Sequence, residues 1–228
     1  MKKLFVSLAL LTISVIVNAQ TVNVHFKNGQ SISYPSENVD YIDFSAKKAD
    51  PTVTEGEEID LGLSVNWASC NLGASKPEEF GDYYSWGETS TKEIFLPTNY
   101  TYYDDDTEQY IHIGDDISGT EYDAARVNLG GEWRIPTNKE MNELVNNCKW
   151  EWSQINGING YKVTGTNGNS IFLPAGEIGQ EGAVLAYWTS TQMSELIVYT
   201  LNAGSSDIGN EWPAMKYYGE SIRPVKSK

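Results

Sequence analysis

The side chains that could carry chemistry in this chain are mostly acids and aromatic rings, and they form no recognisable catalytic set. The two histidines, His25 and His112, and the two cysteines, Cys70 and Cys148, are each far apart in sequence. Zinc signatures place such residues in close pairs, so none is present. The segment "GLSVN" lacks the second glycine of a serine-hydrolase elbow, and "GTNGNS" lacks the lysine of a phosphate-binding loop. We therefore expect a protein that is not an enzyme.

Acidic and tyrosine side chains are concentrated in residues 100–123. Calcium takes several oxygen ligands, and this stretch could supply them from Asp104, Asp105, Asp106, Glu108, Asp115 and Asp116. Their spacing does not fit an EF-hand, and a charge run of this kind is usually a solvated loop. We predict no cofactor, with calcium as the alternative. The tyrosines could offer stacking faces to a sugar or peptide, or could simply cover the core: Tyr100, Tyr102, Tyr103 and Tyr110.

Residues 1–19 have the pattern of a signal peptide. Lys2 and Lys3 precede the apolar run "LFVSLALLTISVIV", and Ala19 provides a small residue at the cleavage point. This run is shorter than the roughly 20 residues of a membrane helix, and no comparable run follows. We expect export to the periplasm, the outer-membrane surface or the extracellular space, with no integral membrane segment.

The chain is strongly acidic, with a formal net charge of -15 from 16 basic and 31 acidic residues. Loss of Lys2 and Lys3 with the signal peptide leaves 14 basic against 31 acidic residues, or -17. Such a protein repels phosphate backbones, so nucleic acid is not an expected partner. In an exported chain, two cysteines favour a Cys70–Cys148 disulfide over two buried thiols.

The elements that must position these residues fall into two parts separated by a linker. In residues 20–45, alternating apolar residues flank Asn28-Gly29, which predicts a β-hairpin, and "VDYIDF" suggests a third strand. Residues 46–57 read as a linker. Residues 58–228 form the main domain, in which Thr137 and Glu140 have capping-box spacing. They precede a helical apolar stripe of Met141, Leu144, Val145 and Cys148, and a second helix is expected near "YDAARVNLG". Many short strands complete an α+β fold.

Five ordered segments resemble a known family: "DLGLSVNWASCNLGASKPEEFGDYYSWGET", "GGEWRIPTNKEMNELVNNCKWEW", "NGYKVTGTNGNSIFLPAGE", "YWTST" and "YYGESIRPVK". Over residues 59–228 the chain resembles the Fibrobacter succinogenes major paralogous domain, which is abundant in exported proteins of Bacteroidetes-type bacteria. The resemblance implies a C-type-lectin-like fold of the branch shared with formylglycine-generating enzymes. It implies two helices, short antiparallel strands and a long irregular region that displays ligand-binding side chains.

Two functions of related proteins are not expected in this chain, because their motifs are absent from it. No cysteine follows Cys148, so the oxidase activity of formylglycine-generating enzymes is not expected. The calcium-bridged sugar site of lectins is not expected either, because "FLPAGE" and "YWTST" stand in place of its motifs.

The resemblance directs attention to the C-terminal strands and loops. The segment "ELIVYTLN" is apolar on both faces, which predicts a buried strand. Its polar and aromatic neighbours are the candidate ligand-binding residues: Gln192, Met193, Ser194, Ser206, Asp207, Asn210, Glu211, Trp212, Lys216 and Tyr217. Trp212 is the sharpest candidate, because exposed indoles dominate many interfaces; the alternative is that it packs against the domain. Arg134 and Arg223 stand beside prolines, and we expect them to pair with carboxylates such as Glu88 or Glu140 inside the scaffold.

These observations favour an exported ligand-binding protein that recognises a protein or a glycan through its C-terminal loops. Two other functions stay open. One is a structural or adhesive component of the cell surface or of fimbriae. The other is a hydrolase whose site is not recognisable in sequence.

Overall fold

The computed structural model describes residues 21–25 and 31–35 as backbone, and then residues 57–104, 106–179 and 181–228. Several predicted features lie outside the described residues: the signal peptide 1–19, the Asn28-Gly29 turn, the third strand of the N-terminal module and nearly all of the linker 46–57. Asp105 and the side chain of Asn210 also lie outside them.

The chain separates into two compact units, Met1–Lys48 and Ala49–Lys228. In the first unit, β1 (Thr21–His25) pairs antiparallel with β2 (Ser31–Pro35), in a register that joins Val22 to Tyr34. The hairpin predicted from the alternating pattern on either side of Asn28-Gly29 is therefore confirmed as a strand pair.

The second unit is an α+β assembly of short antiparallel sheets and, among the described residues, two α-helices. Its elements in chain order are β3 (Glu58–Asp60), β4 (Val65–Ala68), β5 (Tyr103–Asp104), β6 (Gln109–Tyr110), α1 (Ala124–Leu129), α2 (Asn138–Asn147), β7 (Lys149–Ile155), β8 (Ile158–Thr164), β9 (Ser170–Pro174), β10 (Val184–Gln192), β11 (Ile197–Gly204), β12 (Asp207–Met215) and β13 (Val225–Ser227). Three three-stranded sheets have the orders β13-β4-β3, β7-β8-β9 and β10-β11-β12, and β5 pairs with β6. The predicted α+β class is confirmed at this level.

Helix α2 forms where the sequence places its caps. The Thr137 hydroxyl accepts a hydrogen bond from the Glu140 backbone N–H at 3.2 Å, and the Glu140 carboxylate accepts one from the Thr137 N–H at 2.8 Å. This capping box satisfies two backbone donors that the first turn would otherwise leave unpaired. Met141 and Leu144 are buried on the inner face. The predicted start and apolar stripe of this helix are confirmed.

The core has two neighbouring clusters of buried side chains. The first lies among α2, β4, the β7-β8-β9 sheet, β10 and β11, and includes Trp67, Leu144 and Tyr161. The second packs residues 69–102, which lie between β4 and β5 and are called the irregular segment below, against β10 and β11, and includes Trp86 and Trp188. The indole N–H of Trp188 donates to the Tyr84 carbonyl at 2.6 Å, and that of Trp86 donates to the Thr189 carbonyl at 3.1 Å. These bonds fix the irregular segment to the last large sheet.

The two arginines beside prolines are both part of the scaffold, but only one has the predicted partner. Arg134 binds the two carboxylate oxygens of Glu140 at 2.6 and 2.8 Å, as expected. Arg223 is fully buried and makes no ion pair among the described residues. It donates to the Asn71 side chain at 2.9 Å and to the carbonyls of Ala68 at 3.0 Å and Phe172 at 2.6 Å. The prediction of a carboxylate partner was wrong for Arg223, because neutral carbonyl oxygens supply its acceptors.

The predicted Cys70–Cys148 disulfide is not formed, since both cysteines are free thiols. Cys148 ends α2 and directly precedes β7, whereas Ser69 lines a cleft together with Ser153 and Ile155 from the other end of β7. The two thiols have different neighbours, since the Cys70 thiol lies 3.5 Å from the Ser69 hydroxyl and Cys148 lies near Glu143.

Candidate functional site

The candidate residues from Asp207 to Trp212 lie on a strand and not in a loop as predicted. Among the described residues, strand β12 is an outer strand of its sheet and pairs with β11 alone. The pairing shifts register between Thr200 and Asn202, where β12 carries one extra residue. Asp207 and Glu211 are exposed, and Trp212 is 51% exposed. The Trp212 ring lies against the backbone of Gly209, where any side chain would collide with it. Trp212 is thus both exposed and packed on its own strand.

Lys216 was predicted to be displayed, and this prediction was wrong. Its side chain is only 1% exposed. The ammonium lies 4.9 Å from the centre of the Trp86 ring and donates to the Gln192 side-chain oxygen at 2.6 Å. Burial lowers the pKa of Lys216 to about 8. Lys216 therefore connects β10 to the irregular segment. The side-chain oxygen of Gln192 accepts the hydrogen bond from Lys216.

Tyr217 belongs to a group of rings that the structure brings together from distant parts of the chain. Its ring contacts that of Tyr218 edge-on at 4.9 Å, and Tyr103 contacts Tyr110 in the same way at 5.1 Å. The Tyr103–Tyr110 pair is connected to Phe95, because the Lys92 ammonium stands 5.7 Å from the centre of the Phe95 ring and 5.8 Å from that of Tyr100, whose ring lies 5.8 Å from that of Tyr110. The backbone of Gly219 lies against the Phe95 ring. We call Phe95, Tyr103, Tyr110, Tyr217 and Tyr218 the aromatic surface.

Gly219 is required at the joint of this surface. A Cβ atom at this position would stand 2.5 Å from the Phe95 ring, far inside a normal contact distance. The preceding residues are fixed to the irregular segment, because the Trp86 N–H donates to the Lys216 carbonyl at 2.9 Å and the Ser85 hydroxyl donates to the Tyr217 carbonyl at 3.1 Å. The aromatic surface therefore rests on an anchored backbone.

Aliphatic side chains near the aromatic surface in sequence are also exposed to solvent. Ile94, Leu96 and Ile111 have exposed fractions of 59%, 49% and 48%. Met193, a predicted candidate, is 37% exposed near the end of β10. Ile94, Leu96 and Ile111 therefore add exposed apolar area beside members of the aromatic surface in the sequence.

A second layer of tyrosines carries the aromatic surface. Tyr100 is buried, donates its hydroxyl to the Trp86 carbonyl at 2.7 Å and contacts Tyr110 at 5.8 Å. Tyr102 contacts both Tyr100 at 5.7 Å and Tyr122 at 5.5 Å. The sequence left open whether these tyrosines cover the core or offer faces to a ligand. Tyr100 covers the core, while Tyr103 and Tyr110 are partly exposed.

A polar cleft of about 360 Å³ lies beside the aromatic surface. Its central carboxylate, Glu88, accepts hydrogen bonds from the backbone and hydroxyl of Thr101 at 2.7 and 2.8 Å and pairs with Lys92 at 2.7 Å. The Lys92 ammonium also stands 5.7 Å from the centre of the Phe95 ring. The remaining lining is rich in hydroxyl and amide groups: Thr89, Ser90, Thr91, Asn99 and Tyr102.

The acidic run considered for calcium has a local structural role at its start. The Asp104 carboxylate accepts from the backbone N–H groups of Asp106 at 2.9 Å and Thr107 at 3.2 Å, which closes the turn between β5 and β6. In the part of the chain that the structure describes, no three Asp, Glu, His or Cys side chains form a metal-binding group. The same described part has no helix with the length and apolar character needed to span a membrane.

Sequence reasoning missed Phe95 and Tyr218 as members of the surface. A signal for Tyr218 was available in the sequence, because "YYG" places two aromatic rings directly before a glycine. A glycine in such a place often marks a close contact with the backbone, as Gly219 does with Phe95. No signal linked Phe95 to that turn, because the contact joins segments far apart in sequence.

Comparisons of this chain with family models, with curated proteins and with solved structures give no match.

Proposed function

We propose that the main domain is a non-enzymatic, C-type-lectin-like binding domain of an exported protein, and that it recognises a protein partner through the aromatic surface. The observation that carries this proposal is the assembly of five partly exposed rings from two distant segments on an anchored backbone. Tyrosine is enriched in interfaces because it offers a large contact area and a hydroxyl with little conformational entropy to lose.

The aliphatic neighbours favour a protein over a glycan as the partner. Ile94, Leu96 and Ile111 present methyl groups with no hydrogen-bonding capacity, and they are each about half exposed. Burial of such groups contributes about 25 cal/mol per Å² against another apolar surface, whereas sugar hydroxyls would be left unpaired on them. The exposed acids Glu93, Asp106 and Glu108 add negative charge nearby, so the partner should carry basic residues around an apolar centre.

A glycan is the second candidate because the polar cleft adjoins Phe95. Its hydroxyl and amide groups are of the kind that bind sugar hydroxyls, and Tyr102 supplies an aromatic edge. A glycan ligand would bind at this cleft and stack on Phe95. Phe95→Ala should therefore weaken glycan binding more than Ile111→Ala does.

Site-specific photocrosslinking in the producing bacterium tests the proposal. A photoreactive phenylalanine is placed at Tyr218, at Ile111 or at the control position Val127, which is exposed on α1. We expect one protein to be captured from both surface positions and not from the control. With that partner purified, Tyr218→Ala should weaken binding by about tenfold or more, the effect of an aromatic hot spot, while Val127→Ala leaves the affinity unchanged.

Two outcomes would reject the protein proposal. One is capture of the same proteins at Val127 as at the surface positions. The other is a glycan array on which the wild-type protein binds a defined oligosaccharide that Phe95→Ala no longer binds, which would favour the second candidate.

A further inference from the structure

Two carboxylates, Glu177 and Glu220, lie along the same edge of β10. The N–H of Glu177 donates to the Val184 carbonyl at 3.1 Å, and the residue after Glu220, Ser221, donates to the Ala186 carbonyl at 3.3 Å. The opposite edge of β10 is occupied by β11. Two residues along a strand span about 6.6 Å, so the backbones of the two glutamates are close neighbours.

Both carboxylates carry an oxygen without a hydrogen bond. Glu220 is only 6% exposed, and its Oε2 is buried. The Oε2 of Glu177 is also buried and lacks a partner among the described residues. Buried polar atoms are nearly always hydrogen-bonded, so two such atoms on neighbouring acids require an explanation.

The surrounding groups offer no positive charge to either acid. From the segment before Trp86, Tyr83 faces them, and its hydroxyl donates to the Gly176 carbonyl. From β10, Tyr187 faces the same region, and its hydroxyl donates to the Pro174 carbonyl at 3.2 Å. Glu181, in the turn before β10, adds a further negative charge. Arg223 directs its donors to Asn71, Ala68 and Phe172, and among the described residues no lysine, arginine or histidine forms an ion pair with Glu177 or Glu220.

Two ionised carboxylates in this position would repel each other in a site with little water. A carboxylic acid beside a carboxylate is different, because the acid carries no charge and its O–H is a donor. A proton on Glu220 therefore removes one of the two charges. In agreement with this arrangement, burial and then Glu177 raise the pKa of Glu220 to about 8.

We propose that Glu220 keeps its proton at neutral pH, and that the uncharged acid allows the segment carrying Tyr217 and Tyr218 to pack beside Glu177 and the turn before β10. Glu220 connects the two, since its backbone exchanges two hydrogen bonds of 3.2 Å with Tyr84 and a single residue, Gly219, separates it from Tyr218. Loss of the proton in mildly alkaline solution leaves two like charges and loosens this segment.

The direction of the pH dependence follows from the raised pKa of Glu220. The folded protein binds the proton more tightly than the unfolded chain does, in which the carboxyl group has its usual value of 4.5. The stabilisation is complete below that value and is lost as the pH rises through about 8. This dependence is opposite to that of a carboxylate held in an ion pair.

Thermal unfolding of the full chain between pH 6 and pH 9 tests the inference. Glu220→Gln mimics the protonated acid, so the wild-type Tm should fall relative to that of Glu220→Gln by an amount on the order of 5 °C over this range. The comparison uses the variant because Lys216, whose pKa is lowered to about 8, adds stability in both proteins as the pH rises through this value. Glu181→Gln is the matched control: it removes a nearby exposed acid outside the pair and should follow the wild type.

Infrared spectroscopy of the wild-type protein provides a measurement that does not depend on whether a variant folds. A carboxylic acid C=O band should be present at pH 7 and disappear by pH 9.5. The proposal is overturned if this band is absent at pH 7, or if Glu220→Gln and wild type lose the same number of degrees. It is also overturned if a chelator lowers the wild-type Tm at pH 7 and added Ca²⁺ restores it, because a cation and not a proton would then offset the charge of the two acids.

Discussion

Replacement of Arg223 by alanine should destabilise the domain severely. The guanidinium is fully buried and donates to three acceptors, the Asn71 side chain and the carbonyls of Ala68 and Phe172. Each acceptor left without a donor costs about 1 to 3 kcal/mol, and the lost side chain also leaves a cavity. We therefore expect a loss of about 4 kcal/mol or more from a total stability of about 5 to 15 kcal/mol.

Urea unfolding followed by tryptophan fluorescence measures this loss. With an m-value of about 2 kcal/mol/M, the midpoint should fall by about 2 M. Arg223→Lys keeps the charge but not the fork of donors, so its midpoint should fall by an intermediate amount. Arg126→Ala, on the exposed face of α1, is the control and should change stability by less than about 0.5 kcal/mol. A loss below about 1 kcal/mol for Arg223→Ala would refute the structural role, and a stable variant that no longer binds its partner would make Arg223 a ligand contact.

Three further outcomes follow from the same structure. Burial, then Glu143, raise the pKa of Cys148 to about 11. A thiol reagent at pH 8 should therefore react with Cys148 on the order of 100-fold more slowly than with an ordinary cysteine. An equal rate would contradict the burial of the Cys148 thiol. Gly219→Val should cost about 1 to 3 kcal/mol in thermal unfolding, and adding Phe95→Ala should recover part of that loss because the clash is relieved. Burial opposes ionisation of Glu140, but hydrogen bonds from Arg134 and Thr137 outweigh it and lower the pKa of Glu140 below 4.5. The ionised carboxylate therefore stabilises the fold above pH 4.5, and this contribution is lost as the pH falls below that value. Glu140→Gln should accordingly lose less stability than the wild type when the solution is acidified.

Features set by neighbouring residues were predictable from the sequence. The cap and apolar stripe of α2 depend on contacts between residues three or four apart, and both Thr137 and Leu144 take the expected roles. The apolar run "ELIVYTLN" becomes β11, in which Val198 and Leu201 are fully buried. The spacing of apolar residues in a helix and a continuous apolar run in a strand both indicate which side chains are buried. These two elements could therefore be predicted without knowing the contacts between distant segments.

Features set by contacts between distant segments were not predictable. Gly209 and Pro213 disfavour a strand, yet pairing with β11 extends β12 through both of them. Lys216 stands among polar and aromatic residues and reads as exposed, but Trp86 and Gln192 receive its ammonium in the interior. The burial of Glu220 depends in the same way on β10 and on Tyr84, neither of which is a neighbour in sequence.

The β13-β4-β3 sheet joins the first and last described parts of the main domain. Strand β4 lies between β3 and β13, and Lys228 forms an ion pair of 2.8 Å with Asp60 across it. A short peptide could therefore connect residue 228 to residue 57 without stretching the fold, and new ends could be opened in an exposed turn such as residues 166–169. A partner protein fused after Lys228 would likewise leave the main domain close to residue 57.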